Sequence, residues 1–269
     1  MRKPFFTPEP VLIAHRGYSA GYPENTWLAF QKAIELQADL IETDVHLSSY
    51  GLYVISHDDS LDRVSDGTGK IADYTLEELK RFDAGYHFTP DGGETYPYRG
   101  KGLTFMSLEE TLREFPKQRF NVDLKEKKPW HLQNYCDVIK RCDAADRVLT
   151  ASEHTANLRS VRRLLPEIAT SASVWEVLGI YFLFKTGFLF LKKSFIPDAL
   201  QVPERIGPSL LADRSLIRQL HQRGMKMHVW TINTEPEMKR LIEAGVDGIM
   251  TDNLPLLIEA VKKYEKQNY

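Results

Sequence analysis

The chain has 269 residues, with 35 Lys and Arg against 37 Asp and Glu, for a formal net charge of −2. Hydrophobic residues make up 42% and charged residues 27%, a globular balance that excludes a disordered chain, a collagen-like repeat and a disulfide scaffold. A charge this near zero argues against a whole-surface grip on nucleic acid, and no nucleic-acid partner is expected.

The N-terminus, MRKPFFTPEPVLIAHRG, has a basic start but no apolar run behind it, so it is not read as a signal peptide. Short apolar, β-branched runs then recur: VLIA (11–14), LIETDV (40–45), FNVDL (120–124), RVLTA (147–151), IATSA (168–172), ALQV (199–202), KMHVWTI (226–232) and GIMT (248–251). A further run, LYVIS (52–56), reads as a hairpin return on the second strand. Helical patterns fall between most of them, beginning with about Thr26 to Gln37. TLEELKRF and SLEETLREF open on Thr75 and Ser107, with Glu78 and Glu110 at capping-box spacing. HTANLRSVRRLLP, SLIRQLHQRG and EPEMKRLIEAG are amphipathic, and the last two stop at Gly224 and Gly245, suited to a left-handed C-terminal position. Cys136 and Cys142 flank a charged, helix-like stretch with no zinc-type spacing, and both are expected as free thiols, which fits a reducing, cytoplasmic setting.

Strand–helix alternation points to a parallel sheet covered by helices. Eight such units in this length favour a (β/α)8 TIM barrel, which needs about 250 residues, over an open doubly wound sheet, whose G-x-G-x-x-G turn is missing after the first strand. No linker divides the chain, so one domain is expected over 1–269. Residues 60–102, rich in Gly, Asp, Tyr and Pro, read as a small inserted lobe after the second strand unit.

Four clusters follow predicted strands, at the end where an α/β barrel carries its site. His15 and Arg16 follow the first strand, Glu42 and Asp44 share one face of the second, His57 follows the return strand, and Asn121, Asp123 and Lys125 share one face of FNVDLK. Taken singly, each has an ordinary reading: a loop histidine, a solvated acidic edge, a surface ion pair. Their coincidence changes that reading. Three buried, unpaired carboxylates would cost several kcal/mol each, and a divalent cation, Mg²⁺ or Ca²⁺, would remove the cost. Two histidines supply a general base and a general acid near neutral pH. Arg16 and Lys125 suit phosphate oxygens. Together these describe metal-assisted phosphodiester cleavage of a small-molecule substrate.

AHRG, PENT, the run AFQKAIELQADLIETDVHLSSYGLYVISHDDSLDR, the turn before TLEELK, NVDLK, HVWTIN and GVDGIMTDN stand in order over residues 11 to 254. In this the chain resembles the glycerophosphodiester phosphodiesterases, whose fold is an α/β barrel with a small insertion after the second strand unit. The resemblance implies His15 and His57 as the acid–base pair, and Glu42, Asp44 and Asp123 as metal ligands. Asp123 stands where the family usually has Glu in N-x-E-x-K, so the carboxylate is drawn back by one methylene. Arg16 and Lys125 would hold phosphate, Trp230 would pack on the glycerol side, and Glu24 and Asn25 would shape the loop. Ser48 replaces a residue of the family's usual hairpin turn, with little consequence expected. The implied reaction is attack by a neighbouring glycerol hydroxyl, a cyclic phosphate, and its opening by water to glycerol 3-phosphate.

Val174 to Phe195 is unusually apolar, with Glu176, Lys185 and two Gly interrupting it, and is not read as a membrane span. Core packing or a homo-oligomer contact is the expectation, with lipid contact and a peripheral membrane location as the alternative. Some members of the family this chain resembles, with such a segment and an LQVPER-like sixth strand, act on lysophospholipids, so the resemblance makes a lysophospholipase D the runner-up activity. A barrel that only binds phosphate ligands is the alternative of another class.

Overall fold

A computed structural model describes residues 3–7, 12–127, 131–207 and 209–268, with side chains to 266. Val11, the first residue of the predicted first strand, lies outside these. Strand β1 (Leu12–His15) runs parallel to β2 (Leu40–Leu47), and β3 (Tyr53–Ile55) turns back antiparallel on β2. The remaining barrel strands are β4 (Phe120–Leu124), β5 (Val148–Ala151), β6 (Ala169–Thr170) and β7 (Ala199–Pro203). After a small hairpin, β8 (Arg205–Ile206) with β9 (Ser209–Leu210), come β10 (Lys226–Trp230) and β11 (Gly248–Thr251).

Around the sheet the order is β6-β5-β4-β2-β1-β11-β10-β7, all parallel. A bridge from Ser171 to Ala199 joins the two ends, with Ala172 N donating to Ala199 O at 2.8 Å and Asp198 N to Thr170 O at 2.8 Å. The eight parallel strands thus form the expected TIM barrel. Three runs are shorter than predicted by two residues or more: IATSA supplies only two strand residues and the bridge, LYVIS three, and KMHVWTI five.

Strand alternation sends side chains to two destinations. Ile41, Val45, Phe120, Val122, Leu124 and Val148 face outward, beneath α1 (Trp27–Glu35) and the following helices. Ile13, Leu40, Leu149, Ala169, Ala199 and Met250 face inward. They are joined there by Phe5 and Phe6, from a 3-10 turn over Pro4–Phe6 that plugs the N-terminal end of the barrel. Arg119 holds the plug by donating to Phe5 O at 2.9 Å, and Lys3 donates to Ile168 O.

Between β3 and α3 (Leu108–Glu114) the chain makes a long excursion with one 3-10 turn and the short helix α2 (Leu76–Leu79). Its own small core contains Leu61, Ile71, Leu79 and Phe105, packed on Val54. Both expected capping boxes are present, Thr75 with Glu78 and Ser107 with Glu110. α4 (Leu132–Arg141) and α5 (Thr155–Leu164) cover β4 and β5, and α6 (Val174–Lys185) follows β6. α7 (Arg214–His221), α8 (Glu235–Ala244) and α9 (Leu254–Asn268) complete the wall. Gly245 closes α8 at φ +84°, the left-handed position its place in the sequence predicts. Cys136 and Cys142 are both free thiols. Among the described residues no helix is long and apolar enough to cross a membrane.

Candidate active site

At the C-terminal mouth of the barrel the inward-facing positions turn from apolar to charged. Register sets His15 beside Glu42, Glu42 beside Asn121, and Asp44 beside Asp123. Glu42 and Asp44 are inward and buried, as their spacing on one strand face predicts. Lys125 continues the Asn121–Asp123 face, and its Nζ lies 2.8 Å from Asp44 Oδ1 and 2.7 Å from Asp123 Oδ2.

The turn after β1 is built from strained positions. Arg16 sits at φ +56° and Gly17 at φ +82°, and a Cβ on Gly17 would meet the Ala29 backbone of α1 at 2.8 Å. Only glycine lets the helix approach this closely. The bend aims Arg16 N at Glu42 Oε2 (3.2 Å) and sets its Nε 3.6 Å from Asp44 Oδ2. That Nε is buried with no hydrogen-bond partner. Asn25, also left-handed, accepts from Thr43 Oγ1 at 2.7 Å and reaches Asp44 Oδ2 with its Nδ2 at 3.4 Å. Glu24 is gripped by Arg16 Nη1 at 3.0 Å and by both terminal nitrogens of Arg63 at 2.7 and 2.8 Å.

Each histidine is oriented by a carboxylate. His15 Nδ1 donates to Asp252 Oδ1 at 2.7 Å, and His57 Nδ1 donates to Asp58 Oδ1 at 2.6 Å. Because a carboxylate only accepts, both bonds fix the proton on Nδ1 and leave Nε2 for other chemistry. His15 Nε2 lies 3.8 Å from Glu42 Oε2. Asp252 also accepts from Ser19 Oγ (3.0 Å) and Asn233 Nδ2 (2.6 Å), and Asp58 from Arg63 Nε at 2.5 Å. His46, inward on β2 beyond Asp44, bonds the carbonyl of His57 at 3.0 Å and stands 3.5 Å from Glu126.

Asp252, Asn233, Asp58, Arg63 and His46 complete the site without an expected role. Asp252 and Asn233 do lie in TDN and WTIN, at the C-terminal ends of strands. That placement was the available signal. Trp230 ends β10 at the same mouth, three strands round from β2.

The electrostatics follow from three acids meeting too few cations. Burial, then the neighbouring Asp44 charge, pushes Glu42 well above the usual carboxylate range. Burial also raises Asp123, against the pull of Lys125. At Asp44 burial opposes ionisation too, but the Lys125 charge outweighs it and holds the carboxyl low. For His15, burial is outweighed by the Asp252 hydrogen bond and the Glu42 charge, and its pKa rises. Asp252 resists its own burial through the His15 bond and falls to about 2.

Hard oxygen donors carrying excess negative charge suit a divalent cation in chemistry and charge. As arranged, however, no three His, Cys, Asp or Glu side chains among the described residues close on a single point. The Lys125 ammonium bridges Asp44 and Asp123 instead. Beside Lys125 opens a cavity of about 580 Å³, lined in part by His46, Asp59, Lys70 and His131.

The profile of the glycerophosphoryl diester phosphodiesterase family matches residues 15–256. A glycerophosphodiester phosphodiesterase of Caldanaerobacter subterraneus subsp. tengcongensis is 32% identical over 259 residues, covering 94% of this chain and 98% of the relative. A lysophospholipase D of Mus musculus is 25% identical over 278 residues, covering 95% of this chain and 83% of the relative. Among solved structures, an Oleispira antarctica phosphodiesterase in complex with the product sn-glycerol-3-phosphate superposes with a TM-score of 0.75. It is 27% identical and covers 96% of this chain and 98% of its own. The phosphodiesterase domain of a Mycobacterium tuberculosis protein superposes with a TM-score of 0.82 at 22% identity, covering 95% of this chain and 99% of its own, a likeness of fold. The chain therefore belongs to the glycerophosphoryl diester phosphodiesterase family, and it is a phosphoric diester hydrolase.

Proposed function

We propose that this pocket hydrolyses glycerophosphodiesters to glycerol 3-phosphate and an alcohol, with His15 and His57 as the acid–base pair. The observation that carries the reading is that each histidine is held on Nδ1 by its own carboxylate, at 2.7 Å and 2.6 Å, beside one cluster of acids and cations. Such pinning fixes the tautomer and frees Nε2 to take or give a proton. Arg16 and Lys125 bind the phosphoryl oxygens, and the buried, unbonded Arg16 Nε is a donor already turned towards the acids. One histidine takes the proton of the glycerol hydroxyl next to the phosphate as that oxygen attacks phosphorus. The other protonates the departing alcohol as its P–O bond breaks. In the second half the same pair activates water and returns the proton to the ring oxygen, opening the cyclic phosphate.

Glu42, Asp44 and Asp123 are the residues that would hold Mg²⁺ or Ca²⁺, since an ionised Glu42 would have no adequate partner without one. When bound, the cation stabilises the negative charge that grows on the phosphoryl oxygens. Trp230 forms the glycerol side of the pocket, and the cavity beside Lys125 gives the departing alcohol room.

The test is release of glycerol 3-phosphate from glycerophosphocholine with Mg²⁺ or Ca²⁺. His15→Ala and His57→Ala should each abolish turnover in folded protein. Near-wild-type activity in either variant would sink the paired-histidine mechanism.

A second reading, a lysophospholipase D, uses the same residues on a substrate that keeps one acyl chain. Large exposed apolar side chains beside the mouth favour it, and so does the named activity of the mouse relative. A strong preference for lysophosphatidylcholine over glycerophosphocholine would select it.

A further inference from the structure

Barrel helices normally turn a polar face to water. α6 does not: Trp175 is 74% exposed and Phe182 66% exposed on its outer side, and the turn that follows exposes Phe190 and Ile196. The helix starts at the catalytic mouth, three residues past Ser171, and runs back along the wall. Two neighbouring strands continue the pattern at the rim. Ile206, 56% exposed, caps the hairpin after β7, and Trp230, 43% exposed, ends β10. Since β6, β7 and β10 are adjacent, three successive sectors of the mouth each carry a large exposed apolar side chain.

Within the segment from Val177 to Pro197 the charges have one sign. It holds no Asp or Glu, while Lys185, Lys192 and Lys193 are all exposed. Glu176, just before, is committed to Arg162 at 2.6 Å. Arg205, exposed at the hairpin, is set against Glu204 at 4.0 Å and adds no net charge there. A two-fold contact between copies would bring three lysines of each chain towards three of the other with no acid in the segment to answer them. Aromatic and aliphatic side chains interleaved with lysines match instead the boundary of an anionic bilayer, rings among the acyl chains and ammonium groups at the headgroups.

We propose that the barrel wall from α6 to the β6–β7–β10 rim lies along an anionic lipid surface, with Trp175, Ile206 and Trp230 at the mouth end and Lys185, Lys192 and Lys193 towards the opposite end, so that the edge of the catalytic opening meets the headgroups. This deepens the reading of the pocket as a phosphodiesterase by naming a lipid surface as the place it works, and rests on that reading for its purpose but not for its test.

The experiment is co-sedimentation of the full chain with vesicles of phosphatidylcholine alone, or of phosphatidylcholine mixed with phosphatidylglycerol. Trp175→Ser/Phe182→Ser and Lys192→Glu/Lys193→Glu variants run alongside, with circular dichroism as the folding control. Wild type should bind the anionic vesicles at least about tenfold more tightly than the neutral ones, and each double variant should lose about tenfold or more. Hydrolysis of water-soluble glycerophosphocholine should stay within about twofold of wild type, because none of the four residues belongs to the catalytic pocket. Failure to bind either vesicle would overturn the proposal, and so would binding that ignores the substitutions. A concentration-dependent dimer that Trp175→Ser/Phe182→Ser dissolves, without vesicle binding, would assign the face to a second copy and overturn it too. Vesicle binding with no diester hydrolysis would leave docking standing and remove the catalytic reading; hydrolysis without binding would do the reverse.

Discussion

Asp252 lies 237 residues from His15 in the chain, yet its Oδ1 stands 2.7 Å from His15 Nδ1. Barrel closure makes the contact: β11 and β1 are neighbours, so the first strand and the last deliver the pair to one point of the mouth. Asn233 steadies the acid from the next strand along, donating to Asp252 Oδ2 and accepting from Asp252 N. Asp252→Asn keeps the shape but offers an amide that can donate, which lets His15 carry its proton on the wrong nitrogen. The kcat for glycerophosphocholine should fall about 10²- to 10⁴-fold, with KM moving far less, because the loss is one of tautomer and orientation. A fall of less than about tenfold would mean Asp252 does not set the state of His15.

Glu42 is the acid whose charge the site compensates least. Burial and Asp44 both oppose its ionisation, and its nearest cationic partner is His15 at 3.8 Å. Glu42→Gln removes the cost of keeping a carboxyl protonated in that place and keeps an oxygen for the Arg16 amide, so the metal-free protein should become more stable. A gain of about 1 kcal/mol would raise Tm by about 2–4 °C in a chain of this size. The same variant should lose activity and lose the Tm increase that Mg²⁺ or Ca²⁺ gives the wild type by binding the folded state. Melting curves with and without the cation measure both effects. A variant that still shows the full cation-dependent shift would remove Glu42 from the metal site.

What the sequence discloses and what it hides divides along physical lines. Periodicity reveals the barrel because each strand repeats the same local bargain of an inward and an outward face, and the same rule places Glu42 with Asp44 and Asp123 with Lys125. Capping boxes at Thr75 and Ser107 are equally local. The partners of the histidines are another matter. Asp58 touches His57 from the next position, but it reads as an ordinary loop acid until Arg63 is seen to tie it to Glu24 across the mouth. His46 shares the face of Asp44, yet its bond to the His57 carbonyl depends on how the β3 return is folded. Phe5 and Phe6 carry no periodic signal of their own in the sequence, and only closure of the barrel reveals that they fill its floor.

His228 ties stability to acid. It faces into the barrel on β10, fully buried, with Nδ1 3.1 Å from Gln201 Nε2 and no hydrogen-bond partner for Nε2. Burial depresses its pKa to about 4, far more than the Asp247 charge restores. The folded state therefore prefers neutral His228, and an unfolded chain with an ordinary histidine pKa near 6.5 binds the proton first. That contribution is fully present above about pH 6.5 and is lost as pH falls towards 4, on the order of 3 kcal/mol across the window. His228→Gln, which cannot take up a proton, should flatten the curve of Tm against pH in that interval. Parallel curves for the variant and wild type would place the acid sensitivity elsewhere.

Phe6 offers a way to weaken the fold without touching the chemistry. Its ring packs on Phe5 at 5.0 Å and lies 6.2 Å from the His228 ring, at the end of the barrel opposite His15 and His57. Truncation leaves a cavity that β-strands held by ladder hydrogen bonds on both sides cannot collapse to fill, so Phe6→Ala should cost about 3–5 kcal/mol. The Arg119 bond to the Phe5 carbonyl survives the change and keeps the turn in place, so the damage stays a packing loss. At a temperature where the variant remains folded, its kcat should lie within about twofold of wild type, since the charged layer of the mouth rests on strands whose register the plug does not set. Chemical denaturation gives the stability change and a diester assay the rate. A large fall in kcat with little loss of stability would mean that the floor of the barrel is coupled to the catalytic mouth, contrary to the layered packing described for its interior.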